Sequence, residues 1–230
     1  MYTFGKYASR VRKAIAELVG TGSLALAVVG SGIMATDLTS NVGLQLLINA
    51  AATGAILWLL ITLFGPISGA HFNPVVSWIF FFRKESSAAQ TLNFTVAQII
   101  GAISGTLLAN LIFTRDAYQE SSKVRAGWNI LLSETVATAG LVFLIFHFIA
   151  QKQSEKIAAG VALFIFAAYF FTSSTSFANP AITVGRIFTD SFAGISPASV
   201  PAFIPAQIVG AAIGYLAARY FASHHTKESS

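Results

Sequence analysis

The sequence predicts an all-α integral membrane protein with six transmembrane helices plus two re-entrant half-helices, arranged as an inverted internal repeat. Three observations carry this expectation. Of 230 residues, 55% are hydrophobic and only 10% charged, against about 25% charged in soluble domains. Apolar runs long enough to span a bilayer recur along the chain. The second observation is a pair of Asn-Pro dipeptides, Asn73-Pro74-Val75 and Asn179-Pro180-Ala181, opening the short apolar runs 73–82 and 179–188. At ~1.5 Å per residue each run covers roughly 15 Å, about half of a ~30 Å hydrocarbon core. The third is internal repetition: Ala97-Gln98-Ile99-Ile100-Gly101-Ala102 returns as Ala206-Gln207-Ile208-Val209-Gly210-Ala211.

The elements follow in order. Residues 1–13 read as a basic cytoplasmic arm, and Arg10, Arg12 and Lys13 precede an apolar run long enough to be retained as a span rather than cleaved. Span 1 is expected at about 14–35, with Glu17 near its start. Span 2 is expected at 43–64 and is ended by Gly65-Pro66. A polar lead-in at 65–72 then enters the first half-helix, which Arg83-Lys84-Glu85 stops, and span 3 covers 90–113. After the polar loop 114–127, span 4 (128–150) places Glu134 where span 1 has Glu17. Span 5 (157–173) leads through a Ser/Thr-rich stretch into the second half-helix. Span 6 (202–222) precedes a tail, 223–230, expected to be cytoplasmic. Spans 3 and 6 each carry a second Gly four residues after the repeated one, Gly105 and Gly214, a spacing that lets helices approach closely in lipid. The whole of 14–222 reads as one membrane domain, with repeat one at 14–113 and repeat two at 128–222.

Three spans per repeat is an odd number. The second copy therefore crosses from the opposite side, and inverted repeats place binding sites near the midplane. Of the fourteen Lys and Arg, only Arg115, Lys123, Arg125 and Arg186 fall outside when the N-terminus is inside. The positive-inside rule then sets both termini in the cytoplasm of a multi-pass cell-membrane protein. The net charge of +5 lies in short loops and the arm, so it does not point to nucleic acid. The absence of cysteine excludes disulfides and thiolate metal sites. No cofactor or metal is implied.

Asn is a favoured helix N-cap and Pro a favoured first helical residue. Irregular backbone at membrane depth is tolerated only where it is buried in protein or lines a polar cavity. Two half-helices entering from opposite faces bring their N-termini together there. Each terminus carries roughly +0.5 of an elementary charge, so the pair disfavours cations and protons, while the amides of Asn73 and Asn179 offer donors to a passing oxygen. This describes a passive channel for neutral solutes.

The residues Ser68-Gly69-Ala70-His71-Phe72-Asn73-Pro74 and Phe177-Ala178-Asn179-Pro180-Ala181 resemble the two signature loops of the aquaporin and aquaglyceroporin family, the major intrinsic proteins. Ala16-Glu17-Leu18-Val19-Gly20-Thr21 is similar to the family's first-span motif. The resemblance implies six spans, two half-helices, one pore per subunit and a homotetramer in lipid. There are two departures. Val75 replaces the usual Ala and is expected only to repack the turn. Ile182 stands where the family usually has its constriction Arg. By spacing from the two Asn residues, the family's other constriction positions fall on Thr53, Ala167 and Ser176. A ring of Thr53, Ala167, Ser176 and Ile182 is wider and less polar than a strict water filter. It resembles that of a bacterial branch lacking the Arg and associated with arsenic resistance. The implied solutes are water, glycerol-like polyols and metalloid hydroxides such as arsenous acid. Arg186, about 400° further round an ideal helix at ~100° per residue, is an alternative source of the missing charge. The bland alternative is a charge at the end of the half-helix facing a neighbour or the outer surface.

Glu17 and Glu134 are read as structural, accepting hydrogen bonds from re-entrant backbone N–H groups that water cannot reach. His71 is a possible gating residue by its titration near neutrality; a packed, hydrogen-bonded His is the alternative. A mainly water-selective channel and a secondary transporter with the same inverted repeat remain alternative functions. An enzyme is not expected, because no span carries paired carboxylates, a His cluster or a Ser/His/Asp set.

Overall fold

The computed structural model describes residues 9–225. Residues 1–8 of the basic arm and 226–230 of the tail lie outside the described residues. The helices are α1 (Arg10–Leu38), α2 (Val42–Ser68), α3 (Pro74–Phe82), α4 (Ala88–Ile112), α5 (Trp128–Ala150), α6 (Ile157–Phe171), α7 (Pro180–Gly185) and α8 (Val200–His225). Among the described residues six helical segments are long and apolar enough to cross a membrane, the fifth being α6 with the 3-10 turn before it, Ser154–Phe171; α3 and α7 are the short helices.

Helix starts follow capping chemistry. Ser9, Asn41 and Ser87 each accept a hydrogen bond from a backbone N–H in the first turn of α1, α2 and α4. The Ser9 cap starts α1 at Arg10, four residues before the expected edge, so part of the basic arm is helical. Gly65-Pro66 does not end span 2. The helix continues to Ser68 and stops at Gly69, whose φ of 98° and N–H bond to the Gly65 carbonyl form a left-handed C-cap. Satisfying the backbone internally prevails here over the lost proline donor.

The core is built on two glycine-mediated crossings, α1 against α4 and α5 against α8. A Cβ on Gly101 would stand 2.3 Å from the Leu18 carbonyl oxygen, and one on Gly105 would stand 2.0 Å from that of Gly22. In the second half, a Cβ on Gly210 would meet the Thr135 carbonyl oxygen at 2.4 Å, and one on Gly214 that of Ala139 at 2.1 Å. The backbones touch, which only Gly permits. The outward faces carry large exposed apolar side chains such as Trp58, Leu63, Leu163, Phe170 and Val209, as a lipid-facing surface requires.

Loop 114–127 covers the exit of α7. Ser121 N–H donates to the Ile187 carbonyl at 2.9 Å, Ser196 N–H to that of Lys123 at 2.8 Å, and Asn110 Nδ2 to that of Phe188 at 2.9 Å. On the other side of the molecule, Arg83 closes α3. It pairs with Glu85 at 2.6 Å, and its guanidinium lies 5.3 Å from the Phe146 ring centre.

Candidate channel site

The two Asn-Pro turns meet. Asn73 Nδ2 donates to the Ala178 carbonyl at 2.8 Å, and Asn179 Nδ2 donates to the Phe72 carbonyl at 2.7 Å. Each side chain also caps its own half-helix. Asn73 Oδ1 accepts from Val75 N–H at 3.2 Å; Asn179 Oδ1 accepts from Ala181 N–H at 3.0 Å and Ile182 N–H at 3.3 Å. A carboxamide nitrogen has two hydrogens. One is engaged by the opposite loop, which fixes the amide's direction, and the other makes no hydrogen bond among the described residues. Pro74 and Pro180 occupy the first turn of their helices, where no N–H is missed.

The lead-in loops are strained alike. Ala70 and Phe72 have φ of 50° and 49°; Ser176 and Ala178 both have 49°. These lie three and one residues before each Asn. Left-handed backbone at non-Gly residues costs of order 1–3 kcal/mol per residue and persists only when the surroundings enforce it. Glu17 and Glu134 are the enforcing groups, both fully buried. Glu17 accepts from His71 N–H at 3.0 Å and Phe72 N–H at 2.7 Å, from Ser68 Oγ at 2.6 Å and from Gln98 Nε2 at 2.8 Å. Glu134 accepts from Phe177 N–H and Ala178 N–H at 2.9 Å each and from Gln207 Nε2 at 2.7 Å.

Gln98 and Gln207 extend the pattern. Each also donates to a hydroxyl four residues after an Asn, Ser77 Oγ at 3.0 Å and Thr183 Oγ1 at 2.9 Å. The repeated Ala-Gln marked these residues, but it gave no sign of which loop atoms they hold.

A cavity of about 430 Å³ runs past both Asn residues. Lys13, Glu85, Gln90 and Ser154 lie at one end and Arg186 at the other; Leu24, Val28, Val76, Leu141 and Ile165 form an apolar wall between. Thr53, Ser176 and Ile182 all line it. Ala167 does not. It is exposed on the outer face of α6, and Tyr169 lines the cavity instead, with Oη 3.1 Å from Thr53 Oγ1. The reason is helical phase. Ile165 and Tyr169 are four residues apart and share a face, while Ala167 is roughly 200° from each at ~100° per residue. Spacing counted back from Asn179 through the irregular segment 172–179 carried the expectation two residues off.

His71 lines the cavity with Nδ1 3.0 Å from Ser77 Oγ. Its ring stacks on Phe80 at 4.5 Å and meets the edge of Phe94 at 5.3 Å. Val75 is buried behind its turn.

The chain as a whole is similar to known proteins. The family model described as "Major intrinsic protein" matches residues 5–176. The chain belongs to the major intrinsic protein family. It is 48% identical over 200 residues to the aquaglyceroporin AqpS of Rhizobium meliloti (strain 1021), covering 87% of this chain and 85% of that one. Similarity to the aquaporin AqpM of Methanothermobacter marburgensis is lower, 27% over 247 residues, and covers 94% and 99% of the two chains. Among solved structures, the aquaglyceroporin from Plasmodium falciparum superposes with a TM-score of 0.69 at 19% identity, over 93% of this chain and 96% of that one. At that identity the likeness establishes the fold, that of an aquaporin. As a major intrinsic protein, this chain is a multi-pass membrane channel for water or small solutes, in a family of channels rather than enzymes.

Proposed function

We propose that the protein conducts water, glycerol-like polyols and metalloid hydroxides such as arsenous acid, passively and without cotransported ions. The observation that carries this reading is the wall opposite Asn73 and Asn179, which is aliphatic. Toward Arg186 it offers Ile182 and the Thr53–Tyr169 hydroxyl pair, with Ser176 packed beside them in the lining. Such a lining suits a solute with hydroxyls on one side and hydrocarbon on the other. The selectivity ring is thus Thr53, Tyr169, Ser176 and Ile182.

The half-helix N-termini and the two oriented amides disfavour protons and cations at the midplane. A transporter would need coupling-ion ligands at that depth, and both buried carboxylates are already engaged by loop backbone. The exposed apolar surfaces fit lipid and neighbouring subunits of a homotetramer in the cell membrane. The inner position of Lys13 and Arg83 fits cytoplasmic termini.

The test is stopped-flow light scattering on proteoliposomes with water, glycerol and urea gradients, and arsenous acid uptake beside it. Fluxes of glycerol and arsenous acid that rise linearly with their own gradients and do not depend on a sodium or proton gradient are expected. Water flux without either solute would replace this reading with a water-selective channel. Saturating, ion-coupled flux would replace it with a transporter.

A further inference from the structure

Ile182, three residues after Asn179, brings no charge to the cavity wall, yet a buried guanidinium lines the same cavity. Arg186 is 2% exposed and stands on the wall that carries Ser176 and Ile182. Its Nε donates to the Ala193 carbonyl, and its guanidinium carbon lies 3.3 Å from the centre of the Phe177 ring. Among the described residues, no carboxylate is within ion-pair distance of Arg186, and its two terminal nitrogens make no hydrogen bond. The residual exposed surface of Arg186 faces the cavity that it lines. Ser176 Oγ, in the lining of the same cavity, is sealed in the wall without a partner.

A buried charge without a counterion is costly. Here positive charge is accumulated rather than neutralised. Arg125, from loop 114–127, lies over the same Phe177 ring at 5.0 Å and donates to the carbonyls of Gly194, Ser174 and Phe192 at 3.0, 3.3 and 3.4 Å. Lys123 Nζ donates to the Phe192 carbonyl at 2.8 Å. Neutral carbonyls and a ring face orient these groups, and the buried carboxylate Glu134 reaches Arg125 and Arg186 only through its field, without an ion-pair contact.

We propose that Arg186 is a specificity-determining residue of the outer channel, one helical turn beyond Ile182. Its fixed charge, reinforced by Arg125 and Lys123, bars cations. Its free edge donates hydrogen bonds to the oxygens of neutral hydroxylated solutes, opposite an aliphatic wall that accepts their hydrocarbon side. Moving the guanidinium outward from the ring keeps the charge barrier and leaves the ring wide. The inference rests on the channel reading above.

The experiment compares wild type, Arg186→Gln and Arg186→Lys in proteoliposomes, measuring potassium leak and glycerol flux on the same preparations. Arg186→Gln is expected to raise the ratio of leak to glycerol flux about tenfold, equivalent to about 1.4 kcal/mol of lost repulsion. Arg186→Lys keeps the charge without the planar fork. It is expected to leak no more than wild type while passing glycerol several-fold more slowly. A folded Arg186→Gln with wild-type leak and flux overturns the proposal, as does Arg186→Lys with wild-type glycerol flux. A measurement on wild type needs no variant to fold: modification by butanedione, a small neutral arginine reagent, mapped by mass spectrometry. Arg186 is expected to react, and glycerol to slow the reaction. An unreactive Arg186 places the guanidinium off the solute path and overturns the proposal. Wild-type liposomes that pass no glycerol refute the channel reading instead.

Discussion

Replacing Glu17 by Ala tests what holds the first re-entrant loop at membrane depth. Four donors converge on this carboxylate, but they do not lose equally. Ser68 Oγ also accepts from Ala70 N–H, and Gln98 Nε2 keeps Ser77 Oγ. The N–H groups of His71 and Phe72 have no second acceptor among the described residues, the first partly and the second fully buried. An unsatisfied buried donor costs about 1–3 kcal/mol, so the pair loses about 2–6 kcal/mol. That is a large part of a typical stability of about 5–15 kcal/mol, and it falls on a segment already strained at Ala70 and Phe72. Glu17→Gln is the graded control. Its remaining oxygen serves two donors, and its new NH2 can donate to Gln98 Oε1, which is buried without a partner. Only Phe72 N–H is then orphaned, for about 1–3 kcal/mol. The assay is thermal unfolding in detergent, followed by monodispersity, with permeability normalised to folded protein. The order expected is wild type, Glu17→Gln, Glu17→Ala. A Glu17→Ala protein that melts like wild type but conducts poorly would refute the structural role and point to a carboxylate acting on solutes.

Other outcomes follow from the same geometry. Ile182→Arg should reduce glycerol flux more than water flux in stopped-flow measurements, and equal reductions would remove Ile182 from the constriction. Tyr169→Trp should slow glycerol several-fold while Ala167→Trp leaves flux unchanged; the reverse would restore Ala167 to the ring. Gly105→Ala should lower the melting temperature sharply, because its Cβ would stand 2.0 Å from the Gly22 carbonyl oxygen, whereas the same change at Gly43, near the start of α2, should be nearly neutral. Lys123 is held down to about 8 by partial desolvation of its ammonium, then by Arg125 and Arg186. It is therefore charged below that pH and neutral above it, and its acylation should rise with a midpoint near 8; a midpoint near 10.5, the ordinary lysine value, would contradict this environment.

The half-helices were legible because Asn-Pro encodes a cap and a first turn in adjacent residues, and because a ten-residue apolar run is too short to span. The places where reading stopped are equally physical. Pro66 reads as a breaker in water, but in lipid the helix continues past it to the Gly69 cap. Ala167 was misplaced because an irregular segment has no fixed rise or phase, so counting through it cannot tell which face of α6 turns inward. Gln98 and Gln207 were visible as a repeat. Their use became clear only when the loops they clamp were folded against them. Arg186 is 40° from Ile182 by ideal helical counting at ~100° per residue, but α7 ends at Gly185, and the guanidinium is placed by Phe177 and Ala193 rather than by helix phase.

The reciprocal bonds between the two Asn side chains also bear on biogenesis. Asn73 is completed by a carbonyl 105 residues later in the chain, and Asn179 by one 107 residues earlier. While the first repeat alone is in the membrane, its half-helix has a cap but its amide has no fixed direction. The midplane therefore forms in a single late event, when the second loop docks. Neither repeat alone holds both partners of these two bonds, so the orientation of both amides depends on the two halves being together.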